Sequence, residues 1–269
     1  MTTYLDGIVA AHRGRAAADP RSRADVLDTA RQAPAPRRFR QALASATGVA
    51  VIAEVKRRSP SKGDLAPGLD PAALAGQYEA GGATCLSVLT DEAHFGGSAA
   101  DLAAARARVG LPVLRKDFTV DEIDVCDARL MGADAVLLIV AALDDGELRA
   151  FAQLAAELDL AALVEVHDAG EVERALAAGA DLIGVNQRDL STFTVDTERA
   201  VDLAAALPAG VVRVAESGIT GPADVVVLAD AGYDAVLVGG NLVTAEDPTA
   251  ATAALVDAGI GRSGAQGDR

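Results

Sequence analysis

Tryptophan is absent from this 269-residue chain, and cysteine, with two residues, histidine, with three, and aromatic residues, at 3%, are scarce. Two cysteines without a CxxC pair exclude a disulfide scaffold. Cys85 and Cys126, in apolar helix- or strand-like surroundings, read as free buried thiols of a reducing compartment. His12, His94 and His167 form no HxH or HxxxH pair, so no metal site is expected, and no Cys-His pairing points to a thiol nucleophile. His167, two residues after Glu165, reads as a satisfied or exposed imidazole rather than a ligand. Positive charge is short as well: 24 Lys and Arg face 39 Asp and Glu, a net charge of −15. That balance argues against nucleic acid and anionic membranes as partners, so an anionic ligand must be held by a local site. No stretch approaches ~18 uninterrupted apolar residues, and the opening MTTYLDGIVAAHRGR has no continuous apolar core of signal-peptide type. The expected location is the cytoplasm.

What is present is a repeated apolar pattern. The chain is 51% hydrophobic, ample for one large α/β domain. Eight short runs of Val, Ile, Leu and Ala recur at roughly 20 to 35 residue intervals, separated by Ala- and charge-rich segments of helical period. They are Val49 to Val55, Thr84 to Leu89, Pro112 to Leu114, Ala135 to Val140, Ala161 to Val166, Leu182 to Val185, Val211 to Ala215 and Ala235 to Val238. Runs without strict alternation imply parallel strands covered on both faces. The segments AGGATCLSV, MGADAVLLIV, AAGADLIGV and DAGYDAVLVG share a glycine that ends a helix before a strand begins. No GxGxxG follows the first run, which disfavours a doubly wound open sheet. The fold class is α/β, a (β/α)8 TIM barrel with an additional N-terminal helical segment. A helix is expected over residues 3 to 17, where it could cover one end of the barrel, and Pro34 and Pro36 mark a linker in RQAPAPRRFR. Residues 1–45 form the extension, 46–260 the catalytic barrel, and 261–269 a flexible tail.

Charge at the strand ends breaks the apolar pattern. Glu54 and Lys56 are two apart and so share one strand face, and Lys116, Glu165, Asn186, Glu216 and Ser217 close later runs. One such residue is usually a solvated loop side chain, but several at the end of a barrel where active sites lie point to catalysis. Lysines there can act as acids or bind a carboxylate, and a lysine in a dry pocket is expected to lose its proton more easily. Carboxylates beside them are expected to stay ionised. Ser217-Gly218 and Gly239-Gly240, after the seventh and eighth runs, allow close backbone approach and suggest a phosphate site. The loop RRSPSKG adds Ser59, Ser61 and Lys62 within reach of the mouth.

IAEVKRRSPSKG at 52–63, FGGS at 95–98, PVLRKDF at 112–118, LVEVH at 163–167, IGVNQRDL at 183–190 and VAESGI at 214–219 resemble the signature segments of the indole-3-glycerol phosphate synthase family. The resemblance implies closure and decarboxylation of 1-(2-carboxyphenylamino)-1-deoxyribulose 5-phosphate, without a cofactor. It implies that Lys116 is the acid of ring closure, that Lys56 holds the anthranilate carboxylate, and that Glu165 and Glu54 serve the dehydration, whose acid stays open between the two lysines. By the same resemblance Asn186 and Arg188 orient the substrate, Ser61 and Phe118 line its aromatic end, and Glu216 and Ser217 complete the mouth. Partners implied are the phosphorylated small molecule and, weakly, other enzymes of tryptophan biosynthesis. Gln187 and Gly240 depart from the family pattern, where Asn or Ala and an acidic residue or Ser are more usual.

Three rival readings fit less well. Phosphoribosylanthranilate isomerase, another phosphate-binding barrel, uses a cysteine and an aspartate where Lys56 and Asn186 stand. A Schiff-base aldolase would use Lys116 or Lys56 as a nucleophile, trappable with borohydride. A barrel kept only for partner binding would not require charge in its mouth.

Overall fold

A computed structural model describes residues 3–60, 63–189 and 192–260. The expected tail, 261–269, and Ser61 and Lys62 lie outside the described residues. Eight strands close into a parallel barrel: β1 (Ala50–Val55), β2 (Cys85–Leu89), β3 (Val113–Lys116), β4 (Ala135–Ile139), β5 (Ala161–Val166), β6 (Leu182–Asn186), β7 (Val212–Glu216) and β8 (Ala235–Val238). Each pairs with the next, and β8 closes on β1 with Ala50 beside Ala235. The expected runs match these strands to within two residues. The main difference is that Lys116, Asn186 and Glu216 belong to the ladders rather than following them, so sheet hydrogen bonds fix their backbones.

Side chains alternate between two buried layers. Val51, Ala53, Leu86, Val88, Val136, Leu138, Ile183 and Val236 face the surrounding helices. Ala50, Ile52, Cys85, Leu114, Leu137, Leu163, Val214 and Leu237 fill the barrel interior. The inward rows of β1, β3, β5, β6 and β7, followed upward, end in Glu54, Lys116, Glu165, Asn186 and Glu216. A strand phase set by burial therefore decides where the charges point. Gly82, Gly132, Gly179 and Gly232, the glycines of the repeated segments, have φ of +85, +85, +87 and +88°, the left-handed turn that ends a helix and starts a strand. Part of the acid excess is local: Asp70, Asp121, Asp144 and Asp168 each accept a backbone N–H at a helix start.

The N-terminal extension contains three helices rather than one: α1 (Tyr4–Ala17), α2 (Arg23–Arg31) and α3 (Phe39–Ala44). α1 lies over the C-terminal ends of the strands, where Leu5 and Ile8 join the inner layer and Arg13 pairs with Glu147 at 2.7 Å. α2 runs down the outside against the helix Glu122–Leu130, with Arg21 bonded to Asp127 at 2.7 Å. α3 closes the opposite end. Its Phe39 and Leu43, each 1% exposed, plug the barrel floor, and burial of each contributes about 1.5–3 kcal/mol. A short hairpin, Arg58–Ser59 with Gly63–Asp64, follows β1 and was not expected. Cys85 and Cys126 are free and buried, and no helix among the described residues is long and apolar enough to cross a membrane.

Candidate active site

A cavity of about 520 Å³ opens at the C-terminal end of the barrel. Its lining includes Glu54, Lys56, Ser59, Lys116, Phe118, Asn186, Arg188, Glu216, Ser217, Gly218, Gly239 and Gly240. Glu165 lies beneath the surface and reaches the cavity through its partners. Ser61 is outside the described residues.

Lys116 organises the floor. Its Nζ lies 2.7 Å from Glu165 Oε2 and 3.1 Å from Glu216 Oε2. Burial disfavours the ammonium, but Glu165, Glu216 and Glu54 outweigh it and hold the lysine pKa above its ordinary value. The expectation of an easily deprotonated lysine is thus overturned: Lys116 is buried, but its charged neighbours are carboxylates rather than other cations. The two carboxyls beside Lys116 diverge. Burial works against the Glu165 charge, yet Lys116, His167 and the Asn186 amide, which donates to Oε1 at 3.0 Å, keep it below the usual carboxylate range. Glu216 holds its charge less readily than expected. Burial and the field of Glu165 raise its pKa to about 7 against the pull of Lys116, and its Oε1 is buried without a hydrogen-bond partner among the described residues. One cation thus serves an ionised carboxylate and a carboxyl that holds its proton toward neutrality.

A second pair sits across the mouth. Glu54 and Lys56, on one face of β1 and its exit, form an ion pair. Glycine makes space for it: a Cβ on Gly239 would collide with the Glu54 carboxylate and come within 3.1 Å of Lys56 Nζ. Asn186 Oδ1 accepts the Arg188 backbone N–H at 3.0 Å, while the Arg188 guanidinium donates to Phe193 O at 3.0 Å. These bonds aim the loop after β6 across the opening.

The loops after β7 and β8 meet at the rim. Ser217 and Gly218 have φ of +66 and +73°, successive left-handed residues. Gln187, a departure from the family pattern, donates from Nε2 to Ser217 O at 2.7 Å and braces that turn. Gly240 opens the helical turn Gly240–Val243, and Asn241 donates to Ile219 O at 3.1 Å, tying the two loops together.

Several lining residues gave no sequence signal. Tyr4, Leu5 and Ile8 of α1 and Phe95, Phe193 and Leu237 form apolar walls. Their helix or strand patterns announced burial without saying against what. Tyr4 meets Phe193 edge-on with ring centroids 5.0 Å apart, and Phe118 packs on His12 at 5.3 Å. His12, Asp91 and Asp117, distant in sequence, converge beside the cavity. Asp91 faces His12 Nε2 at 2.9 Å and accepts the His94 N–H at 2.6 Å, while Asp117 binds Thr90, Arg115 and the Phe118 N–H. This network fastens α1 to the ends of β2 and β3.

Known proteins resemble this chain over most of its length. Residues 5–255 match the family profile Indole-3-glycerol phosphate synthase. A protein of that name from Kineococcus radiotolerans is 59% identical over 212 residues, covering 79% of this chain and 77% of the relative. Another from Mycolicibacterium vanbaalenii is 51% identical over 259 residues, 96% of this chain and 95% of the relative. Among solved structures, a thiamine phosphate pyrophosphorylase from Pyrococcus furiosus superposes with a TM-score of 0.60 at 17% identity, covering 81% of this chain and 97% of that one. That likeness concerns the barrel alone.

Proposed function

The chain belongs to the indole-3-glycerol phosphate synthase family, and on that basis we propose how its barrel mouth carries out the family reaction. The enzyme is a carboxy-lyase of tryptophan biosynthesis. It converts 1-(2-carboxyphenylamino)-1-deoxyribulose 5-phosphate to indole-3-glycerol phosphate with loss of CO₂ and water.

The observation that carries the assignment of roles is the Lys116 ammonium held between Glu165 and Glu216 on the cavity floor. In ring closure the aromatic carbon bearing the carboxylate attacks the ketone carbon, and the carbonyl oxygen takes a proton from Lys116 Nζ as its π electrons leave. Because the surrounding carboxylates hold Lys116 fully protonated, the donor is present at every physiological pH, and the developing alkoxide supplies the driving force. Lys56 holds the anthranilate carboxylate until the bond to CO₂ breaks and its electrons restore the aromatic ring. In the last step the new hydroxyl leaves as water while the neighbouring ring methylene carbon loses a proton to form the indole double bond, and the ring nitrogen keeps its hydrogen. Glu216, protonated toward neutrality, supplies the acid, and Glu165, ionised, is the acceptor, with Glu54 keeping Lys56 in place.

The remaining contacts orient the substrate. Asn186 and Arg188 position the chain of the sugar, Ser59 and Phe118 face the aromatic end, and backbone N–H groups at Ser217-Gly218 and Gly239-Gly240 receive the phosphate. Ser61 keeps its expected role as a proposal. Free thiols at Cys85 and Cys126 support a cytoplasmic enzyme, and weak association with other enzymes of tryptophan biosynthesis belongs to the same reading.

The test is product fluorescence. The chain contains no Trp, so indole emission from purified protein and substrate, with no added metal or cofactor, has a low background. Emission that grows in wild type and not in Lys116→Ala supports the assignment. A wild type that binds the compound and stays dark refutes it.

A further inference from the structure

The inward row of β5 extends one residue beyond Glu165. Ala161, Leu163, Glu165 and His167 alternate on the same side, so the His167 ring follows the Glu165 carboxylate toward the mouth. The ring is fixed at one end: Nδ1 lies 3.1 Å from Glu171 Oε2, which also accepts the His167 backbone N–H at 2.7 Å. At the other end Nε2 is buried without a hydrogen-bond partner among the described residues and points to Glu165 Oε1 at 3.6 Å. A carboxylate can only accept, so a neutral imidazole satisfies Glu171 with its one N–H and leaves a lone pair facing Glu165. The imidazolium suits both neighbours. Burial opposes the positive ring, but Glu171 from the following helix, Glu165 from β5 and Glu216 from β7 prevail, raising its pKa above the ordinary histidine value. Lys116 stands on the opposite flank of Glu165, bonded to Oε2, and Asn186 donates to Oε1.

We propose that His167 is a positioning residue for Glu165: anchored through Glu171, it presents positive charge to the Oε1 flank that Lys116 does not reach, and so sets how readily Glu165 accepts a proton. This rests on the role given to Glu165 above and adds the group that tunes it. His167 touches no substrate atom in this scheme and acts only through Glu165.

Two measurements test it. The chain has three histidines, so the His167 imidazole nitrogens can be assigned in ¹⁵N spectra by comparison with His167→Gln and then titrated. Removing the facing charge in Glu165→Gln should lower the His167 midpoint by about one pH unit or more, and Glu171→Gln should lower it as well. A midpoint unmoved in Glu165→Gln overturns the proposal, whatever the activity. In His167→Gln the acid limb of kcat against pH should move upward by about one unit, because Glu165 protonates more easily without the second cation, while KM on the plateau stays within about twofold. A uniform fall in kcat at every pH with an unmoved limb, together with an unmoved ¹⁵N midpoint, reduces His167 to a packing role. A shifted midpoint with an unmoved limb keeps the coupling and refutes Glu165 as proton acceptor.

Discussion

The Glu216 carboxyl stands directly over Gly184, so closely that a methyl group on the glycine would overlap Oε1 and press Leu163 at 3.2 Å. Gly184 lies in the ladder between Glu165 on β5 and Val214 on β7, where the sheet cannot shift to make room. The missing side chain is what allows Glu216 to turn toward Lys116. Gly184→Ala is therefore expected to keep the fold at a cost of about 1–3 kcal/mol of overpacking while displacing the carboxyl. A displacement of that kind costs kcat about 100-fold. Thermal melting and steady-state kinetics together decide it. Wild-type kcat in a folded Gly184→Ala protein would mean that Glu216 does not need this seat.

Lys116→Ala removes the proton donor assigned to ring closure. The expected result is a fall in kcat of at least ~100-fold with substrate still bound, measured by indole emission and by direct titration of the ligand. Stability should suffer less than an orphaned buried charge would suggest. Glu216 takes up a proton to near neutrality already, so losing the lysine leaves one carboxylate to be accommodated rather than two. A variant turning over at close to the wild-type rate would take the acid role away from Lys116.

Glu216 makes a signed prediction for pH. Its folded pKa, about 7, exceeds the ordinary glutamate value of 4.5 because burial and Glu165 disfavour its charge. Between those values the native state binds a proton that the unfolded chain has released. The stability contributed by this carboxyl is thus complete below about pH 4.5 and is lost as pH rises through about 7. Glu216→Gln removes the ionisation, so its melting temperature should approach wild type at low pH and exceed it at pH 8. In the same variant kcat should be lowered at every pH, because an amide cannot give the proton assigned to Glu216, and the residual rate should lack the fall expected of wild type above about 7. Equal melting curves at both pH values would contradict the raised pKa.

The barrel and the identity of its charged residues were legible because both depend on period and local chemistry. Eight apolar runs and the recurring helix-ending glycines are short-range patterns, and Glu54 with Lys56 needs only the two-residue repeat of a strand. The signs of the proton equilibria were not legible. A lysine at the end of PVLR carries no indication that three glutamates from other strands converge on it, and Glu216 is pushed the other way by burial that depends on Gly184 and the closed ladder. Nor does helical spacing at Leu5 and Ile8 say that α1 roofs the mouth. The bonds that place it, His12 to Asp91 and Arg13 to Glu147, span 79 and 134 residues.

Ser217 offers a case where stability and binding should move in opposite directions. Its φ of +66° is left-handed, a conformation that costs an L-residue roughly 1–2 kcal/mol and glycine almost nothing. The turn is braced from outside, by Gln187 donating to Ser217 O, and is followed by Gly218, whose Cβ position is already occupied by Val195 Cγ1 at 2.7 Å. The strain is tolerated beside the proposed phosphate site, where the serine hydroxyl can reinforce the backbone N–H groups. Ser217→Gly should therefore raise stability by roughly 1 kcal/mol while increasing KM. Ser217→Ala, which keeps the strain and loses only the hydroxyl, should increase KM without the gain in stability. In both variants kcat should change little, because the contact is made equally in the bound substrate and the transition state. Chemical denaturation and kinetics on the two proteins separate the effects. An unchanged KM in both would show that the hydroxyl takes no part in binding, and a large loss of kcat alone would place Ser217 in the chemistry instead of at the phosphate.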